Sequence, residues 1–298
     1  MFGILRQILR QINEKGRRLV SRYKSAIPFF VIVLFFEVIP IVNMISRSFL
    51  DPEMRFTLNN YVLIFTKSVY LVAIRNSLFL SFVSSFFGLI ISLATALSIP
   101  FLSVRHQKFF LSMLNMLSNF AGLPLAFAFI IILGSSGVLI LTAKAIGFSH
   151  LADFRLYTIQ GLAIVYIYFQ IPLGVLLLLP AMDSIKKEWK EAAYLLKANS
   201  FQFWVRVGIP VLMPSLIGTF STLFANALAA YATAYLLVVT NVPLLPIQIA
   251  SMYVGDMRQR PELGSALSIT LLLIMLIVTA LSNLLTRRCE KYLIRKDN

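Results

Sequence analysis

The sequence predicts an all-α integral membrane protein with six membrane-spanning helices. Of its 298 residues, 59% are hydrophobic and only 13% are charged, and the mean hydropathy is +0.84. A soluble domain carries about 25% charged residues, so this chain has too little polar surface for a water-soluble body of its size. Six runs free or nearly free of charge are each long enough to cross a bilayer core, which takes about 20 helical residues.

The first element is the basic segment 1–24, which we predict to be an amphipathic helix on the inner leaflet. Its apolar residues share one helical face: Phe2, Leu5, Ile8, Leu9 and Ile12. Basic residues occupy the remaining surface, which is typical of helices that lie on a membrane. A cleaved signal peptide is the competing interpretation, but the long basic stretch and the lack of an Ala-x-Ala-like site argue against it.

The charge-poor runs place six spans within residues 25–290. We expect spans near 26–48, 77–102, 109–134, 157–182, 210–240 and 263–286. The third run is interrupted at residues 134–137, so residues 138–148 should be interfacial or external. Asn241, Pro243 and Pro246 predict a loop or re-entrant segment after the fifth span. A second span within that run remains possible and would move the C-terminus across the membrane.

The distribution of charge predicts the orientation. Basic residues are enriched in cytoplasmic loops. With six spans and both termini cytoplasmic, 19 of the 27 Lys and Arg residues lie inside, giving +13 there and +3 outside, and Glu37 supplies the remaining −1. We therefore expect a multi-pass protein of the cell (inner or cytoplasmic) membrane with a cytoplasmic tail at 291–298. An odd number of spans would place that basic tail outside. The charge excess thus indicates orientation, and we expect no nucleic-acid partner.

The most informative segment is the predicted cytoplasmic loop 183–209. Ser184 can cap a helix that runs to about Ala198, and Asn199 can start a second short helix that ends at Pro210. The first helix carries small or apolar residues that a solvated loop does not need: Ala192, Ala193 and Leu196. Such a face is suited to docking in a groove of a partner protein.

This loop resembles the cytoplasmic signature of the membrane-spanning permease subunits of binding-protein-dependent ABC importers. The triplet 191–193 matches the Glu-Ala-Ala of that signature, and Val207, Ile209 and Pro210 match its apolar-x-apolar-Pro ending. Lys197 stands where the family has Gly. Gly allows a left-handed turn at a helix end, which Lys adopts only at a cost. The pattern is most similar to the spermidine/putrescine, ferric iron and phosphonate permease group.

The resemblance implies a type I ABC importer permease fold and a division of labour. The loop would be a coupling helix on one of two cytoplasmic ABC ATPase subunits, beside a second permease, the same or a related chain, and an external solute-binding protein. The implied ATPase-coupling residues are Glu191, Ala192, Ala193, Leu196, Lys197 and Pro210. None of the 13 glycines forms a GxxxxGK[ST] phosphate loop, so we expect ATP on the partner, no cofactor on this chain and no enzyme activity of its own.

Three residues are candidates for a translocation path. Glu37 is the only ionisable residue well inside a predicted span, which makes it either functional or a packing residue that reaches water. Asn226 and Tyr231 are polar residues of the span that directly follows the loop, although hydrogen bonding between helices explains many such residues.

Two other function classes stay open on the sequence. The first is an ion- or proton-coupled secondary transporter with Glu37 as its coupling residue, and the second is a membrane scaffold with a basic inner surface. No set of residues suggests a metal site or nucleophilic catalysis, since the chain has one Cys and two His.

Overall fold

The computed structural model describes residues 27–254 and 259–294. The predicted amphipathic helix in segment 1–24 therefore lies outside the described residues, and the tail is described only as far as Ile294. The described residues form helices and one isolated bridge between Leu50 and Phe56. The helices are α1 (Ile27–Ser48), α2 (Asn59–Thr66), α3 (Ser68–Ser98), α4 (Val104–Ser118), α5 (Leu123–Leu133), α6 (Val138–Ala145), α7 (Ser149–Ala152), α8 (Ile159–Met182), α9 (Lys187–Leu195), α10 (Ser200–Ala229), α11 (Ala232–Val238), α12 (Leu245–Tyr253) and α13 (Pro261–Ile294).

Six helical units are long and apolar enough to cross a membrane, which confirms the predicted fold class and number of spans. They are α1, α3, the α5–α6 unit, α8, α10 and α13. The third unit extends to Ala145 and so includes residues that were expected to be interfacial or external. Helices α3 and α10 begin earlier than predicted because a count of charge-free residues stops at the first charge, whereas a helix does not. Helix α3 begins at Ser68, not near residue 77, with Arg75 exposed on it. A long basic side chain can reach the membrane interface from such a position.

Two of the predicted spans are broken. The predicted span 109–134 is divided at Gly122, whose φ of 73° is in the left-handed region and separates α4 from α5. The predicted span 210–240 begins earlier, at Ser200, and is interrupted after Ala229. The chain then continues as the short α11, so the fifth span is a long helix followed by a separate segment.

Helices α3 and α8 form the centre of the bundle and pack closely through small side chains. Buried small residues line one face of α3: Ser77, Ser81, Ser84, Ser85, Gly88, Ser92 and Ala96. A Cβ atom added to Gly88 would lie 2.9 Å from Cβ of Gln170, and one added to Gly174 would lie 2.9 Å from Cβ of Ser92. Small residues at membrane-helix interfaces permit this close approach.

The remaining long helices surround this centre. Helix α10 packs against α3, α8 and α13, and α12 packs against α13 and α3. Helix α1 packs against α13 and leaves most of its surface exposed. This arrangement places the segment between α8 and α10 at one end of the bundle.

Two π-helical segments, Leu34–Val38 and Trp204–Gly208, interrupt α1 and α10. Each is followed after one residue by a proline, Pro40 or Pro210. Proline has no N–H to donate, and a local π segment is one way in which a helix accommodates the missing bond. The prediction that the second loop helix ends at Pro210 is wrong, because the helix continues to Ala229.

Candidate functional site

The loop between α8 and α10 contains one helix, α9, that is shorter than predicted. It begins at Lys187 after the extended residue Lys186 and ends at Leu195. Ser184 does not cap it: the Ser184 hydroxyl donates to the Ala181 carbonyl at 2.6 Å, at the end of α8. The predicted cap is wrong because α9 starts later than expected, with Lys186 in the N-cap position.

Helix α9 ends in a left-handed turn at Lys197. The φ angle of Lys197 is 59°. Its N–H donates to the Tyr194 carbonyl at 2.9 Å, and the N–H of Ala198 donates to the Ala193 carbonyl at 3.0 Å. These two bonds define a Schellman motif, whose left-handed residue is most often Gly. The fold thus makes the turn that the signature implies, with Lys in the glycine position.

A capping box starts the next helix directly after this turn. The N–H of Gln202 donates to Asn199 Oδ1 at 2.8 Å, and the N–H of Asn199 donates to Gln202 Oε1 at 2.9 Å. A hydrogen bond of 2.8 Å joins the hydroxyls of Tyr194 and Ser200. The turn between α9 and α10 is therefore fixed from both sides, which holds the two helices in a defined helix-turn-helix.

The outer side of this helix-turn-helix is apolar and exposed. We call it the loop surface and define it as Glu191, Ala192, Leu195, Leu196 and Phe201. Leu195, Leu196 and Phe201 are 86%, 83% and 76% exposed. Leu195 was not among the predicted coupling residues, although its position next to Leu196 indicated that it could belong to the same apolar surface.

Other loop residues face the bundle or lie outside the loop surface. Ala193 is half-buried, and Lys197 is exposed at the turn. Pro210 lies inside α10. The buried ring of Phe203 packs 5.5 Å from the Trp204 ring, and Trp204 in turn packs in the core of the bundle.

A cation–π contact connects α9 with the short 3-10 helix Ile99–Phe101, which directly continues α3. The ammonium of Lys190 lies 5.8 Å from the centroid of the Phe101 ring and 5.9 Å from that of Tyr194. A cation within about 6 Å of the centroid of an aromatic ring is attracted to the face of that ring. Besides the covalent connections, α9 thus has a direct contact with a second membrane helix.

Asn226 and Tyr231 line the same cavity, at the two helix breaks. We call it the break cavity; its volume is about 470 Å³. Its lining residues are Ser118, Ala121, Gly122, Phe169, Leu173, Asn226, Ala229, Ala230, Tyr231, Ala232 and Thr233. The Thr233 hydroxyl donates to the Gly122 carbonyl at 3.1 Å, and the Tyr166 hydroxyl donates to the Ala230 carbonyl at 2.8 Å. The Tyr166 hydroxyl thus gives the Ala230 carbonyl a partner at the second break, and the Thr233 hydroxyl is a second donor to the Gly122 carbonyl, which also accepts from the Ala126 N–H at 3.1 Å.

A second cavity, of about 540 Å³, lies between α10 and α13, nearer to the loop. We call it the loop-side cavity. Small and hydroxyl-bearing residues dominate its lining, which consists of Leu177, Ser215, Gly218, Thr219, Ser221, Thr222, Ala225, Thr279, Ser282 and Asn283. Ser215, Thr219 and Thr222 of this cavity and Asn226 of the break cavity follow one another at intervals of three or four residues, so they share one face of α10. This polar stripe along α10 leads from the loop end towards the break.

Glu37 is not part of either cavity. It lies on α1 within the π-helical segment, with its side chain exposed. The structure therefore brings Asn226 and Tyr231 together and leaves Glu37 apart from them.

Comparisons with known proteins identify relatives of one kind. No family model matches the chain. It is 29% identical over 257 residues to a ferric transport system permease protein of Actinobacillus pleuropneumoniae, covering 83% of this chain and 36% of the relative. It is 23% identical over 219 residues to a probable sulfate transport system permease protein of Helicosporidium, covering 72% and 75%. The chain spans about a third of the length of its ferric-permease relatives.

Solved structures share the fold. A chain of a bacterial ABC transporter that imports the acidic polysaccharide alginate superimposes with a TM-score of 0.74 at 19% identity, over 93% of this chain and 99% of that one. A chain of the MetNI methionine ABC transporter gives a TM-score of 0.55 at 16% identity, over 75% and 99%. The chain is therefore similar in sequence to permease proteins of transport systems, and it has the fold of these ABC transporter chains.

Proposed function

We propose that this chain is the permease subunit of an ATP-driven importer in the cell (inner or cytoplasmic) membrane and that the loop surface binds a cytoplasmic ATPase subunit. The observation that carries the proposal is the exposure of Leu195, Leu196 and Phe201 on a turn fixed by hydrogen bonds. Full burial of one such side chain contributes about 1.5–3 kcal/mol. An apolar face of this kind, with Glu191 beside it, is suited to a groove on another protein.

The same arrangement explains how ATP hydrolysis would move the membrane helices. A force on α9 reaches α10 through the capped turn at Asn199 and reaches α3 through the contact between Lys190 and Phe101. Helix α10 carries the polar stripe that leads to Asn226 and Tyr231. We therefore propose that the solute passes along α10, delivered by an external binding protein, between this chain and a second permease.

Copurification tests this proposal. The tagged full chain is expressed with its genomic neighbours, and we expect an ATPase to copurify. Changing Leu195 and Leu196 together to Asp should abolish the association, because two carboxylates cannot be buried in an apolar groove. The matched control is Leu58→Asp, an exposed leucine beside the isolated bridge, which should leave the ATPase bound.

The energy source separates the proposal from the secondary-transporter alternative. Uptake by an importer should stop when cellular ATP is depleted and should continue when only the proton gradient is collapsed. Absence of an ATPase partner, together with uptake that follows the proton gradient and is lost in Glu37→Gln, would establish the alternative.

A further inference from the structure

The centre of the bundle contains a fully buried amide, Gln170 on α8. It is 0% exposed. Its Nε2 atom lies 2.7 Å from the Leu223 carbonyl of α10 and 3.4 Å from the Ser85 hydroxyl of α3. Its Oε1 atom lies 3.4 Å from Nδ2 of Asn226, which lines the break cavity. A buried side chain at membrane depth thus connects three helices and reaches the wall of a cavity.

These contacts fix which way both amides point. The Leu223 carbonyl can only accept a hydrogen bond, so the Gln170 group that faces it at 2.7 Å must be the donor, Nε2. Oε1 of Gln170 then faces Asn226, and Asn226 must offer it an N–H. Oδ1 of Asn226 consequently points away from Gln170 and can accept a hydrogen bond from a solute in the cavity. The second N–H of Asn226 can donate one.

The rest of the cavity wall is uncharged. Among the described residues, none of those that line it is Asp, Glu, Lys, Arg or His. The wall instead contains the Ser118 hydroxyl and the Tyr231 ring. The centroid of the Tyr231 ring lies 5.2 Å from that of Tyr235. An ion at this depth would have no opposite charge beside it, which is costly in a medium of low dielectric constant.

We propose that the break cavity binds an uncharged, polyhydroxylated solute, such as a sugar or polyol, and that Gln170 is the residue that positions Asn226 for it. A solute hydroxyl both donates and accepts, so it can pair with Oδ1 and with the remaining N–H of Asn226. The C–H face of a sugar can lie on the Tyr231 ring. This inference rests on the proposed function and names the solute class of the proposed path.

A depletion experiment tests the solute class. Wild-type cells and cells that lack the gene are grown with trehalose, sorbitol, putrescine and sulfate as probes, and mass spectrometry measures what each strain removes from the medium. We expect depletion of trehalose or sorbitol to depend on the chain. Dependence limited to putrescine or sulfate, or equal depletion of every probe by both strains, contradicts the inference. An ATPase that copurifies in the same cells shows that the proposed function stands even if the solute class is wrong.

Uptake kinetics of the depleted probe test the roles of the two amides. Asn226→Leu keeps the number and branching of the side-chain heavy atoms and removes two hydrogen bonds to the solute of about 1 kcal/mol each, so KM should rise at least tenfold. Gln170→Met leaves Asn226 in place but unoriented, so KM should rise by a smaller factor while kcat is kept. Ser92→Ala is the control, because its hydroxyl donates to the Ile171 carbonyl at the same α3–α8 interface without contacting Gln170. If Gln170→Met lowers kcat and leaves KM unchanged, or if Asn226→Leu transports normally, the assignment is wrong.

Discussion

At the scale of single residues, Lys197 is a position where the local chemistry and the fold disagree. A non-glycine residue in the left-handed region costs about 1–2 kcal/mol, and the φ of Lys197 is 59°. The turn nevertheless forms, with both bonds of the Schellman motif present. The neighbouring capping box at Asn199 is one interaction that offsets this cost.

Lys197→Gly should therefore stabilise the end of α9 by about 1 kcal/mol. The measurement is amide hydrogen exchange of residues 197 and 198, which should slow in the variant. Lys197→Ala is the control, because it removes the charge and keeps the side-chain Cβ, and its exchange should stay close to that of the wild type. Equal slowing in both variants would assign the effect to charge instead of backbone conformation.

Part of the loop was predictable from the sequence because its chemistry is local. Asn199 and Gln202 have cap chemistry at the right spacing, and the triplet 191–193 with Pro210 forms a recognisable pattern. Gln170 shows the opposite case, since its role depends on Leu223 and Asn226, which are more than 50 positions away. No local pattern in the sequence indicates such a contact.

At the scale of helices, the sequence predicts how many spans there are better than where they end. Long apolar runs follow from the hydrocarbon thickness. The break at Gly122 instead depends on a backbone angle and on the bond from Thr233 to the Gly122 carbonyl. The π segments before Pro40 and Pro210 are likewise set by hydrogen-bond geometry, which hydropathy does not report.

The α3–α8 interface provides a test at this scale. Gly174→Ala would place a Cβ atom 2.9 Å from Cβ of Ser92, and overpacking of this kind typically costs about 1–3 kcal/mol. We expect a lower melting temperature of the purified protein. Adding Ser92→Gly should restore part of the loss, which a double-mutant cycle measures. Additive effects of the two changes would show that these residues are not in contact.

At the scale of the whole molecule, labelling of the chain's single cysteine, Cys289, tests the orientation that we propose from the distribution of charge. Cys289 lies near the end of α13, on the proposed cytoplasmic side, and is partly exposed. A membrane-impermeant maleimide should therefore label it in inverted vesicles and not in intact spheroplasts. In the variant that combines Cys289→Ser with Lys67→Cys, the pattern should reverse. Labelling of Cys289 in intact spheroplasts would contradict the proposed orientation. If residue 67 of the double variant is labelled there too, the number of spans is odd; if it is not, the six-span bundle is inverted.

The central claim is that the loop surface couples this membrane bundle to an ATPase. The most direct measurement is ATP hydrolysis by the purified complex, with and without the solute-loaded binding protein. Glu191→Lys should abolish the stimulation, because it reverses a charge beside the exposed leucines of α9. Asp183→Lys, the same reversal of charge at an exposed residue at the end of α8, should keep the stimulation. Full stimulation of the Glu191→Lys complex would contradict the account.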